Sequence, residues 1–292
     1  MTTSSSGYDE FSRTAWRSRA VDADGAGPIA APTGERVPAA EVADIYGPLA
    51  DLVRDRMAAR PAGVDPRRPF VLGIAGSVAA GKSTAARVVR ALLAAGPGGT
   101  RVEHVTTDGF LWPNAVLEAR GIMTRKGFPE SYDNEALAAF LAALRAGATE
   151  VRAPRYSHDT YDVVVGDEIV VREADVVIVE GVNVLQPALA GSDGESLDFA
   201  VFVDAAEADL ERWYVERLFG LREAAVADPG SYFGFLVGRT DEEVREFARG
   251  IWHGINLVNL REHIVPTRSR AHVILEKGPD HAVRRVRVRR PI

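Results

Sequence analysis

Gly76-Ser77-Val78-Ala79-Ala80-Gly81-Lys82-Ser83, followed by Thr84, carries the pattern G-x-x-x-x-G-K-S. That spacing suits a triphosphate. Glycines let the backbone curl so that successive N–H groups point into one concavity and meet phosphate oxygens. A helix beginning there adds the positive end of its dipole. Lys82 reaches the β- and γ-phosphates, and the Ser83 hydroxyl is a ligand for Mg²⁺. Only three of the 35 basic residues are lysines, Lys82, Lys126 and Lys277. A compact ammonium fits between phosphate oxygens where a planar guanidinium does not.

Other side chains can serve such a loop. Asp108 closes the run Val102–Thr107, and beside a phosphate loop it is placed to take the proton of an attacking hydroxyl; elsewhere an Asp before a Gly reads as a turn residue. Glu180 follows four aliphatic residues and can hold the hydration shell of Mg²⁺ or cap a helix. Tyr214 and Arg217, three apart, share a helix face, where an arginine can neutralise charge on a transferring group; alone it is a solvated charge. Tyr156 and His158, two apart in an extended stretch, face one side and can line a polar pocket; a lone His near a Tyr is otherwise structural.

The elements that must position these groups are legible in outline. Phe70–Gly76 reads as a buried strand, with a helix from Lys82 to Ala95 behind the loop. Strands are expected at Val102–Thr106, Val176–Val179 and Phe199–Val203, with helices over Glu135–Arg145 and from Ala205 to about Ala227. The alternation predicts an α/β fold: a mostly parallel sheet of P-loop type flanked by helices, three layers α/β/α, with ligands beyond the strands' carboxyl ends. Short strands are expected within Val151–Val171. A helix over Thr240–Leu260 should break near Gly250 and Gly254. Val283–Val288 should pair with His272–Glu276, its arginines on the outer face of an edge strand rather than on nucleic acid.

Residues 1–37 are rich in Ser, Thr, Gly, Asp and Pro and read as a disordered tail, pinned at most by Phe11 and Trp16. Residues 38–292 read as one domain, with an N-terminal amphipathic helix and linker over 38–68, kinked near Gly47-Pro48, and the core over 69–292. Net charge is −6, which argues against nucleic acid as the main partner. Zero cysteines exclude disulfides and Cys-ligated metals. No apolar stretch is long enough to span a bilayer and no signal peptide is visible, so a cytoplasmic protein off the membrane is expected.

Gly-Ser-Val-Ala-Ala-Gly-Lys-Ser-Thr (76–84), Thr-Thr-Asp-Gly-Phe (106–110), Arg-Lys-Gly-Phe-Pro-Glu-Ser-Tyr (125–132) and Tyr-Ser-His (156–158) resemble the bacterial type I pantothenate kinases. So do Glu-Gly-Val-Asn-Val-Leu (180–185), Trp-Tyr-Val-Glu-Arg (213–217), Ile-Asn-Leu-Val-Asn-Leu (255–260) and Ile-Val-Pro-Thr-Arg (264–268). The resemblance implies ATP-dependent phosphorylation of the 4′-hydroxyl of pantothenate, the first step toward coenzyme A, with Mg²⁺. By position it makes Asp108 the base and Lys82 and Ser83 the phosphate and Mg²⁺ ligands, and it puts Arg217 on the transferring group. It places Tyr156, His158, Tyr214 and Asn256 on pantothenate and His281 on the adenine side. It also implies a homodimer inhibited by coenzyme A through a site including Lys82, Arg87 and His158. The chain departs from the pattern at Val226 and Gly47, where bulkier residues are usual, and in a shortened 61–69 segment. An acceptor such as uridine or ribulose 5-phosphate, or a nucleotide switch without phosphotransfer, are the other readings; no basic cluster for a phosphorylated acceptor and no guanine-reading Asn-Lys-x-Asp loop is visible.

Overall fold

A computed structural model describes residues 7–19, 37–96, 99–189, 196–228 and 230–290. At its centre lies β2, Phe70–Gly76, every residue of it buried. Around it stand β1 (Tyr8–Ser12), β3 (Val102–Thr106), β6 (Val176–Glu180), β7 (Phe199–Ala205), β8 (Val273–Lys277) and β9 (Val283–Arg289). The seven-stranded order is β1-β9-β8-β7-β2-β6-β3. From β8 to β3 the strands run parallel, and β9 and β1 are antiparallel additions. Apolar runs without alternation, as in β2 and β6, are what a sheet covered on both faces requires. Helix α4, Lys82–Ala94, leaves the phosphate loop and lays Ala85, Ala86, Val88, Val89, Leu92 and Leu93 inward, against β2, β3 and β6.

Outside this sheet, β4 (Glu150–Ser157) and β5 (Asp162–Arg172) form a separate antiparallel hairpin. It leans on the turn after β3 and on α6, Asn134–Arg145. Helix α7, Glu207–Ala227, buries Leu210 and Trp213 in the main core, but its Leu218 joins a second, small cluster with Leu236, Val244 and Ala248. That cluster ties α7 to the 3₁₀ turn Tyr232–Leu236 and to α8, Asp241–Ile251, whose start is fixed by a Thr240/Glu243 capping box.

Four expectations are corrected. Residues 1–6 and 20–36 lie outside the described residues, but residues 7–19 belong to the body. There β1 pairs with β9, and α1, Arg13–Arg17, buries Trp16, whose Nε1 donates to the Ile45 carbonyl at 3.0 Å. Arg13 pairs with the buried Glu41 and with Asp44. Second, β9 is not the edge strand, because β1 lies outside it, and Arg285 and Arg287 are matched by Glu10 and Glu276 on the flanking strands.

Third, the disturbance at Gly47-Pro48 is a π-turn, Val42–Tyr46, between α2 (Ala39–Glu41) and α3 (Gly47–Ala58). A proline ring presses on the carbonyl four residues before it, so the preceding turn widens. Fourth, α8 does not break at Gly250. It passes through a π-turn, Trp252–Asn256, and continues to Ile264, because burial of Trp252, Leu260 and Ile264 outweighs the cost of two glycines, about 1 kcal/mol each.

Candidate active site

The carboxyl ends of β2, β3 and β6 converge. Beyond β2 the chain turns at Gly76 (φ 145°), where a side chain would meet the Val203 carbonyl of β7. Ala79 (φ 64°) and Gly81 (φ 88°) complete the curl, and α4 begins at Lys82. The Lys82 ammonium folds back to the Ser77 carbonyl at 2.9 Å. Lys277, at the end of β8, donates to the Ala80 carbonyl at 2.9 Å from the other side. The loop is therefore held open by two cations on its own carbonyls, while the buried Ser77 hydroxyl has no partner. Arg87 stands one turn beyond Ser83 on α4, exposed.

Asp108 sits in a 3₁₀ turn, Thr107–Phe110, that β3 feeds directly; Thr106 Oγ1 caps it by accepting from the Asp108 N–H at 3.3 Å. Close packing aims this turn. Gly109 lies against the Pro154 carbonyl of β4, and Gly181, next to Glu180, lies against Thr107, with no room for a Cβ at either place. Glu180 is buried, with one oxygen 3.0 Å from the Ser83 hydroxyl and the other 3.3 Å from His104 Nε2.

The two carboxylates share neighbours but shift oppositely. Burial pushes Asp108 up, the charge of Glu180 adds to this, and Lys82, His158 and Arg217 only partly oppose it. Burial also works against the ionised form of Glu180, yet the His104 hydrogen bond, Lys82 and Ser83 outweigh it and hold Glu180 low. The difference is in donors: Glu180 accepts from two side chains, Asp108 from the buried Tyr132 hydroxyl at 3.4 Å. Lys82 is pushed down by burial and drawn back by Glu180 and Asp108. His158 is likewise lowered by burial. Asp108 thus feels the phosphate loop on one side and the hairpin on the other.

The hairpin side is aromatic. Tyr156 meets His158 edge to face with ring centres 5.2 Å apart, as their spacing predicts, and meets Tyr161 at 6.3 Å. Tyr161 stacks on Tyr232 at 4.8 Å. Tyr214, on α7, has Asn256 beside its hydroxyl, and the Asn256 Nδ2 is buried without a partner. Arg217, one turn on, is exposed and makes no hydrogen bond or ion pair among the described residues. Its charge is nonetheless felt at Asp108, Lys82, His158, Tyr156 and Tyr214. His281 (φ 64°) stacks on Trp213 at 4.0 Å, on the loop after Lys277, so the chain carries it toward the phosphate-loop side.

Sequence reasoning missed His104, Tyr132, Trp213 and the positions of Lys126 and Lys277. The scarcity of lysine marked the last two, and Lys126 also lies in the 125–132 string, but neither signal gave a position in the fold. Among the described residues no three His, Asp or Glu side chains gather as a metal cluster, and no helix is long and apolar enough to cross a membrane. Ser83 and Glu180 still fit a hard cation: an alcohol and an ionised carboxylate at the mouth of a phosphate loop are oxygen donors of the kind Mg²⁺ takes, with phosphate oxygens and water completing the shell.

The profile of the Phosphoribulokinase / Uridine kinase family matches residues 71–217. A pantothenate kinase of Sorangium cellulosum (strain So ce56) is 54% identical over 274 residues, 88% of this chain and 87% of that one. One from Mycobacterium sp. (strain KMS) is 46% identical, covering 97% of both. Among solved structures, D-glycerate 3-kinase from Cryptococcus neoformans superposes with a TM-score of 0.55 at 15% identity, over 82% of this chain and 97% of that one. At that identity the likeness concerns the fold.

Proposed function

The chain belongs to the bacterial type I pantothenate kinases within the phosphoribulokinase and uridine kinase family, and from that premise we propose how its residues carry the reaction. It phosphorylates pantothenate to 4′-phosphopantothenate. The nucleotide is ATP, its phosphates in the 76–84 loop under Lys82. Ser83 and Glu180 would hold Mg²⁺, which would screen the charge of the β- and γ-phosphates. Asp108 accepts the proton of the 4′-hydroxyl as its oxygen bonds to the γ-phosphorus and the bond to the bridging oxygen breaks, releasing ADP. Arg217 and Lys82 stabilise the negative charge spread over the transferring group.

Asp108 carries this reading, because it lies between the two halves of the site, in a turn packed against the hairpin. There it is in the field of Lys82 and Glu180 on the donor side and of His158 and Arg217 on the acceptor side. Its raised affinity for a proton suits a base, and its lack of a good donor leaves it free to bond a substrate hydroxyl. Tyr156 and His158 line the acceptor, and Tyr214 with the unpartnered Asn256 amide receives its far end. His281, held by its stack on Trp213, is assigned to the adenine side of the nucleotide. Coenzyme A inhibits from an overlapping site through Lys82, Arg87 and His158, and the enzyme works as a cytoplasmic homodimer; these follow from the family.

Release of ADP from Mg-ATP, measured over a panel of pantothenate, uridine and ribulose 5-phosphate with and without coenzyme A, tests the reading. Turnover only with pantothenate, suppressed by coenzyme A, is expected. Turnover with another alcohol and none with pantothenate would sink it.

A further inference from the structure

Lys126 plays no part in the reaction as written, yet it is half-buried beside the acceptor wall. Its ammonium donates to the Tyr161 carbonyl at 2.5 Å and to Asn114 Oδ1 at 2.7 Å, and lies 4.0 Å from the centre of the Tyr161 ring. Asn114, at the start of α5 (Asn114–Ala119), reinforces the same point. Its Nδ2 donates to the Tyr161 carbonyl at 3.1 Å, and its backbone N–H donates to Asp162 Oδ1 at 3.0 Å.

The residue so gripped is unusual. Tyr161 has φ 52°, a left-handed conformation that a bulky aromatic residue rarely adopts and that persists only where surroundings hold it. It closes the β4–β5 hairpin, whose Tyr156, on β4, and His158, in the turn, line the acceptor site. From the far side the hairpin is fastened more lightly, by the Tyr232 N–H on the Asp159 carbonyl at 2.9 Å and by the Tyr161–Tyr232 stack.

We propose that Lys126 is a positioning residue for pantothenate: with Asn114 it pins the Tyr161 carbonyl and so fixes Tyr156 and His158 over Asp108. The inference rests on the acceptor site assigned above. A carbonyl accepting from both an ammonium and an amide is a strong anchor, because hydrogen bonds to charged donors contribute about two to three times what neutral ones do. A surface lysine gives no such fixed geometry. Desolvation also brings the ammonium down to about 8, with Asp162 and Asp108 opposing, so Lys126 sits in the field of the base itself.

The test uses Lys126→Met, which keeps length and removes the charge, alongside Asn114→Ala. Amide hydrogen exchange of residues 156–163 in the ligand-free protein is expected to quicken in both. The KM for pantothenate should rise about tenfold to a hundredfold in Lys126→Met, with the KM for ATP unchanged. The effect of the double variant should depart from the sum of the singles, since two donors on one carbonyl are coupled. Unchanged exchange, or equal rises in the KM of both substrates, would overturn the proposal. Exchange reads the anchor whatever alcohol is phosphorylated. A wild-type enzyme inactive on pantothenate would refute the acceptor assignment instead, and the KM split would then be read on the alcohol it does accept.

Discussion

The donor and acceptor ends of this enzyme are built differently. The phosphate loop grows out of β2, which is buried throughout, and α4 behind it is seated in the main core. The acceptor end is assembled from a two-stranded hairpin, one face of α7, the 232–236 turn and the 252–256 π-turn. It rests partly on a satellite cluster of four buried residues, with Tyr232 and Phe235 each 42% exposed. Few buried contacts and exposed aromatic groups mark a region that opens at lower free energy than the core. The difference teaches where change is cheap: the phosphate loop is locked to the sheet, and the residues proposed for the acceptor stand on a more lightly buried frame.

The largest expected effect falls where the ends meet. Asp108→Asn keeps the shape and removes the proton acceptor, so kcat should fall by about 10²–10⁴ while ATP affinity, measured by calorimetry, stays as it was. If ATP affinity collapsed too, Asp108 would belong to the donor end and the division would be wrong. Gly109→Ala strikes the joint itself, because the new methyl lands on the Pro154 carbonyl. Urea denaturation should show a loss of about 1–3 kcal/mol, with the KM for pantothenate rising more than that for ATP. Equal rises would mean that hairpin and sheet move as one body. Tyr214→Phe, deep in the acceptor end, should raise the KM for pantothenate about tenfold through one lost hydrogen bond and leave ATP binding untouched.

The same contrast governs what the sequence disclosed. The loop was readable because its parts are contiguous, and Asp108 and Glu180 were readable because they end strands. Tyr156 with His158, and Tyr214 with Arg217, were readable as pairs because strand and helix periods fix which neighbours share a face. What joins these pieces was not readable. Tyr132 reaches Asp108 across 24 positions, His104 reaches Glu180 across 76, and Lys277 reaches Ala80 across 197. Asn256 came only from family resemblance. The strand Tyr8–Ser12 was hidden by its polar composition, and its partner lies at the opposite end of the chain.

The smallest predicted effect is on stability, and its sign is opposite to the effect on rate. In the folded protein burial and Glu180 raise Asp108 above its ordinary value, so the native state holds that proton more tightly than the unfolded chain does. A carboxyl raised in this way contributes stability that is fully present below its unfolded value and is lost as pH climbs through the folded one. Ionising Asp108 therefore weighs against the fold. Asp108→Asn, which cannot ionise, should melt a few degrees higher than the wild type at neutral pH, since about 1 kcal/mol moves a protein of this size by roughly 2–4 °C. The gap should narrow as pH falls and close near the unfolded value of about 3.9. Melting curves of both proteins across that range decide it. A variant no more stable at neutral pH would mean that Asp108 is satisfied in the free enzyme, and the contrast with Glu180, held by His104 and Ser83, would fall with it.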